Sequence, residues 1–396
     1  MPGRKVHRLR LPVIQSVSVA RTESRRPTVI VVMNRLDAGG AEVACIELAR
    51  ALSPSCDLHV VSLLDGGAAA EKIRSLGTKV SLLGGGGILR TLRVVVKLGK
   101  MFRAERPQLV ITFLYLADLI GGVLARIAAP GAEVHWNVRN NVLYRRQTGF
   151  LTFVASRLNG LVSRIVPTSV VYCSELSRRQ HESIGYCCRE STVVENSTSG
   201  VGFGFDPALR QAFRRNQFAA AFLFLFVGRF DPVKRVDLFI EAGAAVAKAC
   251  GEAAQFVLAG RGMEACNGEL ADLVVRTGVG GQFHLLGHVS DPQRLYCGAD
   301  CLVLTSESEG SPNVVFEAMA TRLETIILGT PGTEHIEGPG LRRLNGRKLD
   351  DLVRSMCELV GRGPREVRER LSGDKTTCRT GEHPLATHYR GMLSRI

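Results

Sequence analysis

Two glutamates, Glu309 and Glu317, lie eight residues apart in a stretch, 305–320, that leads from an apolar segment into a helical pattern. The pattern predicts a strand that ends at Leu304, a loop that carries Glu309, and a helix that begins near Asn313 and holds Glu317 one turn inside. The first amides of such a helix have no partner within it, and the positive end of its dipole attracts anions. Amide donors for a phosphate and carboxylate acceptors for hydroxyls suit a phosphorylated sugar. Taken alone, two glutamates at this spacing are more often solvated or capping charges.

A basic pair provides a second candidate site. Arg229 and Lys234 follow an apolar segment, 222–227, and both can reach one anionic ligand, because arginine offers a fork of donors and lysine a mobile point charge. The R-x4-K spacing is common, and its position after the first strand of a second domain gives it weight. Gly39 and Gly40 lie between a strand and a helix, where glycine lets the backbone approach a ligand, although tight turns need glycine as well.

These residues must be positioned by alternating strands and helices. Short apolar segments predict a first series of strands at 28–33, 58–64, 79–83, 109–114, 134–138, 170–174 and 192–195, and a second at 222–227, 255–259, 283–286 and 301–304. Helical patterns separate the strands, and further helices are predicted at 349–360, 364–371 and 384–396. Residues 197–219 lose periodicity and gain glycine, which indicates a domain boundary. Two such series predict an α/β protein with two Rossmann-like, doubly wound domains facing each other across a cleft.

The predicted domain organisation has four parts. A basic N-terminal extension, 1–27, precedes a first Rossmann-like domain, 28–215, and a second Rossmann-like domain, 216–380. A last helix, 381–396, is expected to pack back toward the first domain. Ligands bind at the carboxyl ends of strands in such sheets, so Arg139 and Asn140, which follow the predicted strand 134–138, are candidate ligand-binding residues. His135, within that strand, is interpreted as a core or surface histidine.

The composition indicates a soluble globular protein with an anionic partner. The chain has 396 residues, 45% of them hydrophobic and 22% charged, and a net charge of +14. Aromatic residues make up only 6% and do not alternate with a basic patch, so nucleic acid is not the expected partner. The eleven cysteines include no C-x-x-C pair, which favours reduced thiols in a cytoplasmic protein over disulfides or a zinc site.

No segment of the sequence predicts a membrane crossing. Residues 1–27 lack a long apolar core, so no cleaved signal is expected, and no run of 18 apolar residues occurs. A peripheral contact with the cytosolic face of the inner membrane is a separate expectation. It rests on the predicted helix 88–105, which places cations at steps of three and four beside an apolar face: Arg90, Arg93, Lys97, Lys100 and Arg103. An ordinary surface helix shows the same pattern.

Four segments of the second half, in this order, resemble a known family. VGRFDPVKRVDLFIEA, VLAGRG, LLGHVSD and LTSESEGSPNVVFEAMA are similar to the donor-binding half of the family-4 retaining glycosyltransferases, the group 1 glycosyl transferases of the GT-B fold. The resemblance is strong over 222–320 and looser over the rest of 28–390. It implies retaining, metal-independent transfer from a nucleotide sugar to a glycolipid or polysaccharide-precursor acceptor. The first domain would then be the acceptor domain and the second the nucleotide-sugar domain, and Arg139 and Asn140 would bind an acceptor or donor phosphate. No cofactor is implied, since the nucleotide sugar is a substrate, and the chain has no suitably placed D-x-D motif for a metal.

The resemblance also implies roles for single residues. Arg229 and Lys234 would hold the diphosphate, Glu309 the hydroxyls of the transferred sugar, and Glu317 the ribose. The catalytic set is then Arg229, Lys234 and Glu309, and the donor-binding set is Gly39, Gly40, Gly287, His288, Val289, Asn313, Val314, Val315 and Glu317. Within that second set, Gly39 and Gly40 would close over the phosphates, and residues 287–289 would line the base pocket. The amides of 313–315, at the start of the predicted helix, would donate to the diphosphate.

The sequence departs from the family after residue 320. The family usually continues with Gly-Leu-Pro and a strand, whereas this chain has Arg322, Leu323 and Glu324 and then an unusual loop. Because of this departure, one alternative is that the protein is a catalytically impaired homologue, which binds a nucleotide sugar without turning it over. An active enzyme that glycosylates a soluble small molecule is the other alternative. A nucleic-acid-binding protein is the most distant one.

Overall fold

The computed structural model describes residues 26–37, 39–84, 88–141, 149–197, 204–215, 218, 221–373 and 382–395, and only the backbone at 88, 89, 365 and 367–373. Most of the predicted extension 1–27, the first part of the predicted boundary segment (198–203) and residues 374–381 lie outside these ranges. The described chain forms two parallel sheets with helices on their faces. This architecture confirms the expected α/β fold class with two Rossmann-like domains.

The first sheet has seven strands in the order β3-β2-β1-β4-β5-β6-β7. Its strands are β1 (Thr28–Met33), β2 (Asp57–Ser62), β3 (Lys79–Leu82), β4 (Leu109–Phe113), β5 (Glu133–Val138), β6 (Ser169–Tyr172) and β7 (Glu190–Val193). The connecting helices are α1 (Gly40–Leu52), α2 (Ala68–Ser75), α3 (Ile88–Glu105), α4 (Tyr115–Ala128), α5 (Phe150–Val162) and α6 (Glu175–Ser183). The central strands β1 and β4 are apolar and buried on both faces, as parallel strands between helices must be.

The second sheet has six strands in the order β10-β9-β8-β11-β12-β13. Its strands are β8 (Phe222–Val227), β9 (Ala254–Ala259), β10 (Phe283–Gly287), β11 (Cys301–Leu304), β12 (Glu324–Leu328) and β13 (Leu341–Leu344). The helices are α7 (Pro207–Arg214), α8 (Val236–Cys250), α9 (Gly268–Val275), α10 (Gln293–Gly298), α11 (Asn313–Ala320), α12 (Leu349–Gly373) and α13 (Pro384–Leu393). α12 contains both helices predicted for 349–371, with a break at Gly363, where φ is 79°. α13 packs against α1, and its Leu385 and Tyr389 belong to the core of the first domain.

One helix within the predicted boundary segment 197–219 was missed. Residues 207–214 form α7, which begins with Asp206 as its N-cap and Pro207 in its first turn. The Asp206 carboxylate accepts a hydrogen bond from the Ala208 amide (2.7 Å), as an N-cap does. The helix is short, and the side that it buries carries Arg210 and Arg214 beside the partly buried Phe213, so its apolar periodicity is weak.

Two strands were also missed, β12 and β13, and both lie behind the predicted donor loop. Glu324 opens β12 and is buried, but its carboxylate accepts a 2.7 Å hydrogen bond from Arg342 of β13. Arg322 stands where the family has a turn glycine and adopts a left-handed conformation, with φ 53°. The unusual residues are therefore accommodated, and a strand still packs beside β11.

Candidate active site

The loop between β11 and α11 brings two of the predicted residues together. Glu309 is buried, and its Oε1 lies 2.7 Å from the ammonium group of Lys234, which belongs to the loop after β8. The two loops are joined by their backbones as well, because the Glu307 amide donates to the Val233 carbonyl at 2.7 Å. A cation and a carboxylate thus meet at the carboxyl edge of the second sheet.

Local turn chemistry sets the position of Lys234. A short 3-10 turn, Pro232–Lys234, is capped by the Asp231 carboxylate, which accepts from the Val233 amide at 3.0 Å. The Thr305 hydroxyl then donates to the carbonyl of Lys234 at 3.0 Å. The lysine backbone is therefore held between its own turn and the end of β11.

The loop after β12, which looked atypical in sequence, supports Glu309 from behind. The Glu309 amide donates to the Pro331 carbonyl at 3.0 Å, and the Thr330 hydroxyl donates to the Ser306 carbonyl at 2.9 Å. Gly332 has φ 88°, and a β-carbon there would lie 1.9 Å from the Glu309 carbonyl oxygen. Sequence reasoning missed this support, although the Pro-Gly pair at 331–332 is a turn signal.

α11 begins at Asn313, as predicted, but not all three expected amides face the loop. The Val315 amide donates to the Pro312 carbonyl at 3.1 Å, and Val315 is fully buried. The amides of Asn313 and Val314 are the ones that helix geometry directs out of this end. Both residues are partly exposed.

Glu317 lies in α11 with its carboxylate partly buried. The hydroxyl of Tyr296, from α10, donates to its Oε2 at 2.5 Å. Burial raises the pKa of Glu317, and the hydrogen bond from Tyr296 opposes that rise. The tyrosine was not predicted from the sequence.

Arg229 and a further arginine lie at the carboxyl edge of the second sheet. The Arg229 side chain is 63% exposed and lies 3.5 Å from the Asp231 carboxylate, so it is available to a ligand from the cleft. Arg261, in the turn after β9, lies 3.8 Å from the carboxylate of Asp37 in the first domain and is 60% exposed. Sequence analysis did not single out Arg261, although its Gly-Arg-Gly turn follows a strand as Arg229 does.

The glycine pair of the first domain lies opposite α11. Gly39 and Gly40 are exposed, and a β-carbon at Gly40 would lie 3.3 Å from the side-chain nitrogen of Asn313. Glu42, in the first turn of α1, has a raised pKa because it is buried, although the nearby Arg229 and Arg261 act in the opposite direction. The structure therefore brings the Gly39–Gly40 loop to the edge where the second domain carries its basic residues.

Arg139 and Asn140 lie at the carboxyl end of β5, beside the Glu309 loop. The Arg139 guanidinium donates to the Val194 carbonyl (2.9 Å) and to the Asn196 side chain, and burial lowers its pKa. Among the described residues no carboxylate forms an ion pair with it, and its Nε has no hydrogen-bond partner. The α-carbon of Asn140 lies 3.4 Å from where a β-carbon of Gly310 would stand.

Two asparagines that were not predicted connect the domains at this loop. Asn141 donates through its side chain to the Ser308 hydroxyl at 2.5 Å and to the Glu309 carbonyl at 2.8 Å. Asn196 donates through its amide to the Ser311 hydroxyl at 3.0 Å and through its side chain to the Ser311 carbonyl at 2.9 Å. The first domain therefore forms hydrogen bonds with the backbone on both sides of Gly310.

The remaining predicted residues lie at two other places. Gly287, at the end of β10, has φ 65°, and its carbonyl accepts from the Gly260 amide at 2.8 Å, while His288 is exposed and Val289 is partly buried. The cations predicted for membrane contact are all exposed on α3.

In the described part of the chain, no three His, Cys, Asp or Glu side chains group as a metal site would require. None of the described helices has the length and apolar character that crossing a bilayer requires.

Comparison with known proteins finds two family models along the chain. Residues 38–199 match Glycosyltransferase Family 4, and residues 221–362 match Glycosyl transferases group 1. None of the curated proteins matches the chain significantly.

Solved structures share the fold at low sequence identity. Anabaena HepE in complex with UDP-glucose has a TM-score of 0.75 at 17% identity, over 93% of this chain and 100% of HepE. Sucrose-phosphate synthase from Thermosynechococcus elongatus has a TM-score of 0.71 at 15% identity, over 94% of this chain and 100% of the synthase. The lipopolysaccharide outer core galactosyltransferase WaaB has a TM-score of 0.62 at 16% identity, over 93% of this chain and 100% of WaaB.

Proposed function

Because this chain belongs to the family-4 glycosyltransferases, with a group 1 domain as its second half, we propose that it moves a sugar from a nucleotide-sugar donor to a glycolipid or polysaccharide-precursor acceptor. The chain is a glycosyltransferase of the GT-B fold. The proposal adds that the anomeric configuration is retained and that no divalent metal takes part.

The contact between Lys234 and Glu309 carries this proposal. Without a ligand the two charges neutralise each other at 2.7 Å. A diphosphate gives Lys234 a second anionic partner, which leaves Glu309 able to accept hydrogen bonds from sugar hydroxyls. Arg229 and the amides of Asn313 and Val314 add donors for the phosphates.

Electrostatic stabilisation of the leaving group is the proposed chemistry. The bond between the anomeric carbon and the diphosphate oxygen breaks, and its electron pair stays on the diphosphate. The acceptor hydroxyl attacks from the same face, and its proton passes to the departing phosphate oxygen. Lys234 and Arg229 stabilise the charge that develops there without a metal. Closure of the cleft excludes water and so limits hydrolysis of the donor.

A UDP-sugar is the first donor to test. Anabaena HepE was crystallised with UDP-glucose, and a TarM structure contains UDP. In this chain residues 287–289 are proposed to line the base pocket and Glu317 to accept from the ribose hydroxyls. Glu317 is partly exposed on α11, and its carboxylate oxygens accept hydrogen bonds, so it suits the neutral hydroxyl groups of a ribose.

Arg139 favours an acceptor that carries a phosphate. Its guanidinium lies beside the Glu309 loop and has no ion-pair partner among the described residues. A lipid-linked acceptor also agrees with the exposed cations of α3, which suit an anionic membrane surface. The protein is therefore proposed to act at the cytosolic face of the inner membrane.

A thermal-shift screen against UDP-, GDP- and ADP-sugars tests the donor proposal. A nucleotide that binds the folded protein raises its melting temperature by mass action. Lys234→Ala should abolish the shift and lower kcat/KM about a hundredfold. Lys248→Ala, an exposed lysine on α8, is the matched control and should behave as the wild type. A Lys234→Ala protein as active as the control, or no shift with any nucleotide, would overturn the proposal.

The structure supports an active enzyme over an impaired homologue. Glu324 is paired with Arg342, and the loop that follows β12 holds the Glu309 backbone in place. The alternative would be favoured by a purified protein that binds a nucleotide sugar but neither transfers nor hydrolyses it.

A further inference from the structure

α5 carries a stripe of apolar side chains that the core does not use. Leu151, Leu158, Leu161 and Ile165 are exposed by 72%, 41%, 77% and 75%. Leu151, Leu158 and Ile165 follow each other at steps of seven, and Leu161 lies three residues after Leu158, so the four share one face of the helix and the turn after it. Single exposed apolar residues are ordinary, whereas a continuous stripe marks an interaction surface.

The two neighbouring helices extend this surface. α4 packs against both α3 and α5, and the Arg126 guanidinium of α4 donates to the Val166 carbonyl just after α5 at 2.5 Å. Ile127, beside that arginine, is 64% exposed, and Leu92 and Val96 of α3 are 58% and 56% exposed. Of the thirteen large apolar residues that are exposed in the described chain, eight lie on α3, α4, α5 or the turn after α5. We call this surface the outer face of α3–α5.

The charges of this face have one sign. Arg157 and Arg164 are exposed on α5 and the turn after it, in addition to the five cations of α3. The acidic residues of these helices do not offset them: Glu105 contacts His59 and Lys79, Asp118 is fully buried, and α5 contains none. A second copy of the chain is a poor occupant, because two such faces would bring like charges together. Exposed apolar side chains between cations complement a surface that has an apolar interior and anionic groups above it.

We propose that the outer face of α3–α5 binds an anionic lipid bilayer, with the apolar stripe of α5 entering the headgroup region and the cations of α3 contacting lipid phosphates. This extends the proposed function, which assigned only the cations of α3 to the membrane. α5 then lies in the plane of the interface as an amphipathic helix does. α5 follows β5 and Arg139 in the first domain. Docking would therefore place the membrane against the domain that is proposed to bind the acceptor.

Flotation with lipid vesicles tests the proposal without any donor or acceptor. The wild-type protein is mixed with vesicles of phosphatidylcholine alone or of phosphatidylcholine with phosphatidylglycerol. We expect binding only to the anionic vesicles and weaker binding at high salt. Leu161→Ser/Ile165→Ser should reduce the partition about tenfold, because each side chain loses part of its transfer free energy. Arg93→Gln/Lys97→Gln should also reduce it and should remove part of its dependence on salt.

Val275→Ser is the matched control, because Val275 is 72% exposed on α9 of the other domain. It should bind vesicles as the wild type does, and circular dichroism melting verifies that every variant is folded. A wild type that does not float, equal binding to neutral vesicles, or a Leu161→Ser/Ile165→Ser protein that binds like the control would overturn the proposal. A wild-type dimer in gel filtration that this double variant dissociates would instead identify a self-association surface. Nucleotide binding and sugar transfer are measured separately, so a failed proposed function does not hide the result.

Discussion

At the scale of single residues, the contact of Tyr296 with Glu317 is predicted to affect donor binding and not the chemical step. The tyrosine hydroxyl donates to the carboxylate at 2.5 Å, and Glu317 is the proposed ribose contact. A hydrogen bond to a charged group contributes roughly 1.5–3 kcal/mol. Tyr296→Phe should therefore raise KM for the donor about tenfold. It should leave kcat nearly unchanged, because the ribose contact is the same in the ground state and the transition state.

Steady-state kinetics with varied donor concentration measure this division. The loss of the hydroxyl also removes a contact that lowers the pKa of Glu317. As the pH is lowered, Glu317 of the variant should therefore take up its proton, and lose donor affinity, at a higher pH than Glu317 of the wild type. A variant with an unchanged KM and a reduced kcat would show that Glu317 acts on the reacting sugar instead.

His135 gives a prediction for stability against pH. It is 1% exposed in β5, and burial, with smaller contributions from His388 and Arg126, lowers its pKa to about 4 from the usual 6.5. Tyr389 packs against the ring, and Glu133 lies 3.4 Å away without a hydrogen bond. Between pH 6.5 and pH 4, His135 is protonated in the unfolded chain but stays neutral in the folded chain. Stability is therefore lost as the pH falls from 6.5 to 4, by on the order of 3 kcal/mol at the lower end.

His135→Leu should make this part of the stability profile less steep, and the buried His181 and His383, whose pKa values burial also lowers, should retain part of the slope. Urea unfolding between pH 4 and pH 7 measures it through Trp136, the single tryptophan, which is buried in the same strand. His288→Gln, which changes an exposed histidine of the other domain, should retain the wild-type slope. Equal slopes for His135→Leu and the wild type would contradict the prediction.

At the scale of elements, α7 is attached to the second sheet through one buried carboxylate. Asp300 is fully buried and accepts from Arg210 (2.6 Å), Arg214 (2.8 Å) and the amide of Leu223 in β8 (2.8 Å). Asp300→Ala leaves two arginines without their counter-charge, and breaking a buried pair in this way costs about 3–5 kcal/mol. Chemical unfolding followed by circular dichroism should show that loss. Asp272→Ala, on the exposed side of α9, should stay within about 0.5 kcal/mol of the wild type.

The same elements show how far the sequence determines the fold. β1, β8 and β11 begin and end where predicted, because their uninterrupted apolar segments have no other stable place than a buried parallel sheet. α7 and β12 were missed because each carries charges on the side that it buries. Arg214 and Glu324 look like surface residues until the fold supplies Asp300 and Arg342 as partners.

The candidate site was likewise predicted only in part from the sequence. Lys234 and Glu309 could be named from local patterns, since each follows an apolar strand and precedes a helix. Asn141, Asn196 and the Pro331 carbonyl could not, because their contacts join side chains to backbone groups far away in the sequence. No local spacing predicts such a contact.

At the scale of the whole molecule, the contacts between the two domains and the position of Glu309 depend on each other. Asn141 binds the Glu309 carbonyl, and Asn196 binds Ser311, so two loops of the first domain hold the loop of the second domain that carries Glu309. An open cleft would break these hydrogen bonds and release the loop. We therefore expect the contacts made by the first domain to affect the rate of transfer more than the affinity for the nucleotide, because most of the proposed nucleotide contacts come from the second domain.

Gly310→Ala tests this coupling at the point of closest approach. A β-carbon there would lie 2.8 Å from the Cys173 sulfur and 3.4 Å from the α-carbon of Asn140, so the variant cannot close fully. We expect kcat to fall at least tenfold while the dissociation constant of the nucleoside diphosphate changes less than about twofold. Cys173→Ala combined with Gly310→Ala should recover part of the rate, because it removes the sulfur, whereas Gly281→Ala, where no atom lies within 4 Å, should have no effect. Loss of nucleotide affinity in Gly310→Ala, or no recovery in the double variant, would mean that the substitution distorts the donor loop itself and that domain closure is not what positions Glu309.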